Sequence, residues 1–345
     1  GLLLIQPRGD WETGRGGGAW GGGGGGGGGV GGGGGEVVVC DLHPDYGSTR
    51  FARRRGGRVM GVQHHVAHVQ ACRAEHGLRG RVLGIAWDGT GYGEDGTIWG
   101  SEGLVVEDKG YRRVASLLPF KLPGGDAAVG DPRRSLAGVL ELALGEEWVN
   151  RVDVGAVRGM AGEERRGWQG GMGAGGGGGG GAGGGGGVTS GMGRLFDAAA
   201  VVAGLCDHAA YEGQAAMRVE TAARGDVRGV EPYSFSMVQR EGEEGLWRID
   251  FREMIKEWLV EADGERLARR FHRTLLEMIR AMVRLSEEEM IVLTGGCFQN
   301  RVLLEGAIEV VREEGRVPFW HRVIPPNDGG IAAGQLWAAA WREDG

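Results

Sequence analysis

The chain has 345 residues, 41% of them hydrophobic, enough for one large domain or two lobes with a core, and that excludes disorder as its general state. A net charge of −7 provides no global basic field and argues against a dedicated nucleic-acid binder. Cys40, Cys72, Cys206 and Cys297 form no closely spaced pair, so neither a zinc ribbon nor a disulfide framework is expected, and no apolar run approaches the roughly 20 residues of a membrane span. With no secretory leader to read, the expectation is a cytoplasmic globular protein.

Glycine occurs 75 times, and two tracts, 21–35 and 171–187, are nearly pure glycine. They read either as flexible linkers or as poorly specified stretches, and glycine's helix penalty of about 1 kcal/mol per residue leaves neither able to hold a helix unaided. Residues 1–35 and 151–187 are therefore uninformative, and the organised sequence divides into 36–150 and 188–345.

From residue 36 onward the pattern is regular. Residues 37–40, Val-Val-Val-Cys, read as a buried strand closed by Asp41 and the His43-Pro44 turn. Five arginines at 50, 53, 54, 55 and 58 form either a solvated helix face or a phosphate patch. A short strand at 59–62 feeds a helix at 64–76. Strands are expected at 82–87, 97–106 and 111–118, with a glycine-rich turn over 88–95, then a helix at 132–144 with proline in its first turn. Helices at 194–205, 211–223 and 267–285 follow. A strand (291–293), helix (299–311), strand (318–323) and helix (329–340) end the chain. A strand meander, then helices, then a βαβα ending predict two α/β lobes with a cleft between them.

Four places carry chemistry. His64 and His68 are four apart at the start of a helix, so they share a face and can share a metal, although such pairs also arise by chance on surfaces. Asp88-Gly89-Thr90-Gly91 ends a strand, which offers a carboxylate to a cation and backbone N–H groups to a phosphate, or is simply a tight hairpin. Glu94 and Asp95 crowd the same stretch and favour a cation there. Gly295-Gly296 lies between a strand and a helix carrying Asn300, where a nucleotide can approach the backbone. Asp328, in Pro-Pro-Asn-Asp-Gly-Gly before the last helix, reads equally as a helix cap or as a ligand. Two histidines, two aspartates and two glycine-rich turns are the parts of a metal-bridged nucleotide site. Cys297, beside the second turn, reads as a small packed residue.

The motifs QHHVAH (63–68), AWDGTGYGEDGTIWGSE (86–102), LPFKLPGGDAA (118–128), GMGRLFDAAAVVAGLC (191–206), YEGQAAM (211–217), TGGCFQNRVLLE (294–305) and PPNDGGIAAGQ (325–335) occur in that order. Together they resemble the C-terminal transferase domain of the HypF family, the carbamoyltransferases of hydrogenase maturation. The resemblance implies a two-lobed α/β fold of the actin/Hsp70/sugar-kinase type, related to the tRNA-modifying TsaD enzymes. It implies carbamoyl-adenylate, made from ATP, as donor and the C-terminal cysteine thiol of a HypE-type protein as acceptor. The metal ligands it implies are His64, His68 and Asp328 with Asp88 as a fourth, for iron or zinc. It places Gly89, Thr90, Gly91, Gly295, Gly296 and Asn300 along phosphate and sugar, and Asp197 and Gly213 on the nucleoside side. The first lobe, 36–150, would carry the metal helix and phosphate turn, and the second, 188–345, further nucleotide and metal contacts. Two features depart from the family: its upstream acylphosphatase-like, zinc-finger and adenylate-forming domains are not found here, and Arg218 stands where an acidic residue is common, with Glu220 nearby. The rivals are a TsaD-like tRNA threonylcarbamoyl transferase, against which the acidic balance speaks, a sugar-type kinase, which has no use for a two-histidine site, and a non-catalytic scaffold.

Overall fold

The apolar run at Val37–Asp41 forms a buried strand, β2, flanked in a small parallel sheet by β1 (Leu2–Leu4) and β3 (Arg58–Val62). A computed structural model describes residues 2–4, 37–55, 57–152, 167 and 187–343; the glycine tract 21–35 and nearly all of 171–187 lie outside the described residues. Between β2 and β3 runs α1 (Gly47–Arg55). It buries Ser48, Thr49 and Ala52 and turns Arg50, Arg53 and Arg54 outward, as a solvated face does. Directly after β3 comes α2 (His64–His76), ended by Gly77 in the left-handed conformation.

The chain continues through β4 (Val82–Tyr92), β5 (Ile98–Val106), β6 (Tyr111–Leu117), β7 (Phe120–Leu122), α3 (Arg133–Leu144), α4 (Trp148–Arg151) and β8 (Gly187–Thr189). Then follow α5 (Met192–Val202), α6 (Gln214–Ala222), β9 (Ser236–Gln239), β10 (Trp247–Asp250), α7 (Arg252–Trp258), α8 (Gly264–Arg284), β11 (Met290–Thr294), α9 (Arg301–Glu313), β12 (Val317–Trp320) and α10 (Ile331–Glu343). A nine-stranded mixed sheet runs β12-β11-β4-β5-β6-β10-β9, with β8 bridging β5 and β7. Strands β12, β11 and β4 are mutually parallel, and β4, β5 and β6 form the antiparallel meander. Because β4 pairs with β11, strands from 36–150 and from 188–345 share one sheet, and the sequence division at 151–187 does not fall between sheets.

Period-two alternation assigns the two faces of this sheet. Leu83, Ile85, Trp87, Ile291 and Leu293 point into the larger core, built with α3, α5, α8 and α9. Val82, Ala86 and Val292 point the other way, against Val66, Ala67 and Val69 of α2 and Ala338 and Ala339 of α10. Helices α2 and α10 meet backbone to backbone: a Cβ on Gly334 would lie 1.8 Å from the Ala67 carbonyl oxygen, so only glycine fits. This contact holds the last helix, and the turn before it, against the helix that carries the two histidines.

The stretch 88–95 differs from the glycine-rich turn expected there. Strand β4 runs on to Tyr92 through a register shift against β5 between Trp87 and Gly91, and the hairpin turn itself spans 93–97. Asp95 is consumed by that turn, accepting from the Thr97 amide, the Thr97 hydroxyl and Trp99 Nε1, so it does not serve a cation beside Asp88. Among the described residues no helix is long and apolar enough to cross a membrane.

Candidate metal and nucleotide site

Gln63 caps α2, its side-chain oxygen accepting from the Val66 amide at 3.0 Å while its amide nitrogen donates to the Tyr92 carbonyl. That cap starts the helix at the residue where His64 and His68 fall one turn apart, both fully buried. Asp88 enters from the irregular stretch of β4, where such bulges re-aim side chains. Asp328 enters from the short turn before α10. Asn327 caps the 3-10 turn Asp328–Gly330 that leads into α10, its side chain accepting from the Gly329 amide, while Asp328 Oδ1 is turned to the two histidines.

The four side chains converge. His64 Nε2 lies 3.5 Å from Asp88 Oδ2 and 3.5 Å from Asp328 Oδ1, and His68 Nε2 lies 3.0 and 3.6 Å from the same oxygens. A tetrahedral ion with ligand bonds of about 2.0–2.1 Å needs ligand–ligand edges of about 3.3–3.4 Å, which is the scale of these distances. His64 Nε2 is buried and makes no hydrogen bond among the described residues, as a lone pair reserved for a cation would be left. Two imidazoles and two carboxylates suit a borderline divalent ion such as iron or zinc.

Electrostatics within the cluster are mutual. Burial pushes the His64 and His68 imidazoles down, but the surrounding carboxylates overcome it and hold both above their ordinary 6.5. Burial pushes Asp88 and Asp328 up, and the two imidazoles overcome that in turn, holding both below 3.8. In the metal-free chain the largely buried Asp88 adds stability that is fully present above pH 3.8 and lost as pH falls through its depressed value, while the exposed Asp328 adds little. The histidines add stability that is fully present below 6.5 and lost as pH rises through their raised values, so the two contributions overlap between 3.8 and 6.5. The melting-temperature gap between metal-free wild type and a His64→Gln/His68→Gln variant is therefore expected to be widest near about pH 5 and to shrink toward about pH 9. A gap that widens steadily with pH would contradict the cluster.

The glycine turns pack around Asp88. Gly295 adopts φ +96°, and a Cβ there would lie 2.2 Å from the Trp87 carbonyl oxygen, so the turn after β11 closes on β4 only with glycine. Its N–H donates to the Pro326 carbonyl, tying the turn to the segment that carries Asp328. Gly296 abuts Asp88 Oδ1, which also accepts from the Gly89 amide. Gly91 packs against the His64 and His65 rings, while Gly89 and Thr90 are half-buried. Asn300 caps α9 through its oxygen and faces His272 Nε2 through its nitrogen at 2.8 Å, so both ends of its amide are engaged within the protein. Gly213, at φ +79°, caps α6 on an exposed turn.

Beside Gly89, the buried Asp197 pairs with Arg194 at 3.1 Å. Burial lifts the Asp197 carboxyl to about 6, Arg194 opposes the shift and Glu212 adds to it. Burial also pushes the Cys297 thiol well up, which keeps it protonated and agrees with a packed residue. Arg218 donates to the Leu205 carbonyl and Glu220 accepts from the Arg301 amide, so the residues at the family departure brace α6 against its neighbours.

Three contributors escaped sequence reasoning. Asp41 Oδ2 lies 3.0 Å from His64 Nδ1, and its only sequence signal was a strand-terminal aspartate. Arg194 was hidden inside a motif, its signal being an arginine in the first turn of a helix whose only other charged residue is Asp197. Glu75, at the far end of α2, accepts from the amides of Arg322, Val323 and Ile324 and so clamps the segment leading to Asp328; nothing local in the sequence marks it. His321 joins this brace through Thr294 Oγ1, which in turn donates to the His68 carbonyl.

Comparison with known proteins matches two adjoining family models, "HypF Kae1-like domain" over residues 33–75 and "Carbamoyltransferase, Kae1-like Domain, second subdomain" over 84–335. The chain belongs to the HypF carbamoyltransferase family. The two matches between them contain His64, His68, Asp88 and Asp328. Carbamoyltransferase HypF of Synechocystis is 36% identical over 322 residues, covering 88% of this chain and 40% of the relative. A Carbamoyltransferase HypF homolog of Cupriavidus necator is 31% identical and is covered over 78% of its length. A crystal structure of full-length HypF in the phosphate- and nucleotide-bound form superposes with a TM-score of 0.76 at 30% identity, covering 90% of this chain and 39% of that one. This HypF-family chain thus spans about two fifths of the length of most curated relatives it matches. The resemblance carried by the seven motifs is borne out at the level of the family.

Proposed function

We propose that the chain transfers the carbamoyl group of carbamoyl-adenylate to the C-terminal cysteine thiol of a HypE-type maturation protein, a step toward the cyanide ligands of [NiFe] hydrogenase. The observation that carries this is the convergence of His64, His68, Asp88 and Asp328 next to the Gly295–Gly296 turn in a chain of this family. We also infer a two-lobed actin/Hsp70/sugar-kinase-like arrangement, in keeping with the mixed nine-stranded sheet, and a cytoplasmic location.

Carbamoyl-adenylate is a mixed anhydride and is already activated. The acceptor thiol gives up its proton to solvent and, as thiolate, forms the new C–S bond; the carbamoyl C–O bond to the phosphate breaks, and AMP departs with the electron pair. The protein's work is to position the anhydride and to stabilise charge on the leaving phosphate. His64, His68, Asp88 and Asp328 would hold a divalent iron or zinc ion, which when bound supplies Lewis-acid polarisation of a phosphate oxygen. Gly89, Thr90, Gly91, Gly295, Gly296 and Asn300 are assigned to the phosphate and sugar side, and Asp197 and Gly213 to the nucleoside. The protonated Cys297 does not compete with the partner's thiol as acceptor. The tRNA threonylcarbamoyl alternative fits the net charge of −7 less well.

Supplied with preformed carbamoyl-adenylate and the partner, the chain is expected to carbamoylate the partner's terminal cysteine. Supplied only with carbamoyl phosphate and ATP, it is expected to release little pyrophosphate, because adenylate formation is assigned to a domain outside this stretch. Robust carbamoyl-phosphate-dependent pyrophosphate release by this chain alone would overturn that division of labour.

A further inference from the structure

In the small sheet, β2 and β3 are parallel with Asp41 in register with Val62. Strand β3 ends there and Gln63 starts α2, so the register alone brings the last residue of β2 beside the first histidine of the helix. The Asp41 side chain is buried, at 5% exposure, and both of its oxygens are committed. Oδ1 accepts from the His43 amide at 2.8 Å, and Oδ2 faces His64 Nδ1 at 3.0 Å. The Thr49 hydroxyl holds the Asp41 carbonyl from α1, at 3.2 Å.

Behind the cluster, where no cation stands between them, a buried carboxylate 3.0 Å from a ring nitrogen is satisfied by a proton on that nitrogen. His68 Nε2 and Asp88 Oδ2 are equally close, but inside the cluster an ion would take the proton's place. His64 is then protonated at Nδ1, and its Nε2, which has no hydrogen bond among the described residues, faces Asp88 and Asp328. The other histidine differs: His68 Nδ1 is buried without a hydrogen-bond partner among the described residues. One ligand is thus oriented from behind and the other is not. Because Oδ1 also fixes the turn after β2, the same carboxylate links His64 to the stacked pair His43 and Tyr46, whose ring centroids are 4.1 Å apart.

We propose that Asp41 is a positioning residue of the candidate metal site, fixing the tautomer and ring plane of His64 and strengthening Nε2 as a donor. The proposal rests on the reading of His64 as a metal ligand. Carboxylates behind metal-bound histidines typically account for 10- to 100-fold in metal affinity, and the same scale is expected here.

The test measures zinc affinity of the full 345-residue chain by competition with a chromophoric chelator. Asp41→Asn is expected to bind zinc about 10- to 100-fold more weakly than wild type. An asparagine cannot accept from both the His43 amide and His64 Nδ1–H, since one of its two positions is an NH₂. Thr49→Val, which loses the hydroxyl's contacts to the Asp41 carbonyl and to Cys40 but leaves both Asp41 carboxylate contacts in place, is expected to leave zinc affinity unchanged. Wild-type affinity in Asp41→Asn overturns the proposal, whereas failure of the wild-type chain to bind zinc overturns the metal reading itself. A second measurement needs no variant: in the zinc-loaded wild type with ¹⁵N-labelled histidine, His64 is expected to carry its proton on Nδ1 and zinc on Nε2. Zinc on Nδ1, or a His64 indifferent to zinc, would contradict the role given to Asp41.

Discussion

Replacing His64 or His68 with alanine is expected to lower divalent-metal affinity by more than about 100-fold, beyond the loss of an outer partner, and to abolish carbamoyl transfer in step. Each imidazole supplies one corner of a four-donor cluster whose His–Asp separations are 3.0–3.6 Å, and among the described residues no further donor joins that cluster. Removing His68 also strips Asp88 of its 3.0 Å partner and leaves a largely buried carboxylate with one imidazole, His64 at 3.5 Å, to offset it. The metal-free variants should therefore melt lower than metal-free wild type below about pH 6.5, where the lost imidazoles would have been protonated. Full metal occupancy by elemental analysis in both variants would refute the ligand assignment.

Asp328→Asn separates two roles that the bare sequence left even. Asn327 caps the 3-10 turn that precedes α10, and the Asp328 side chain is 75% exposed with Oδ1 turned to His64 and His68. Asparagine keeps the shape but replaces an anionic oxygen donor with a neutral amide, which hard and borderline cations bind less well. Metal affinity and transfer rate should fall together by about tenfold or more, because one of two anionic donors is lost. The metal-free protein, measured at about pH 7, should keep its melting temperature to within a few degrees, since an exposed ion pair contributes little. Asp88→Asn should act in the same direction. Its neighbour Asp95 is engaged in the hairpin turn and offers no substitute donor, so a smaller loss on the strength of nearby acidic groups is not expected. Calorimetric titration of metal into Asp328→Asn decides the first point, and wild-type affinity would leave Asp328 no ligand role.

The parts of this site that the sequence disclosed are those that local periodicity governs. The helix at 64–76 was legible because it is capped by Gln63 at one end and Gly77 at the other, and the two histidines then fall on one face without further information. The sheet strands around Ile85 and Val292 were legible from short apolar runs. What escaped depends on pairing between distant segments. That β4 adjoins β11, and that β2 and β3 bring Asp41 to His64, are properties of sheet register between stretches far apart in sequence. The continuation of β4 past Asp88 was masked because Gly89 and Gly91 look like a turn, whereas the register shift accommodates them within the strand. The short strands β9 and β10 and the helix α7 lack the length for a clear period. Glu75 was invisible for another reason: its three hydrogen bonds go to backbone amides, which carry no side-chain signature.

The central claim is that metal and nucleotide share one site built on α2, β4 and the turns after β11 and before α10. Calorimetric titration of a non-hydrolysable ATP analogue into the zinc-loaded chain and into the same chain stripped of metal tests it most directly. A shared site predicts at least about tenfold tighter nucleotide binding in the loaded form, on the order of 1.4 kcal/mol of coupling, with a matching gain in zinc affinity when nucleotide is present. Equal nucleotide affinity with and without metal would contradict it.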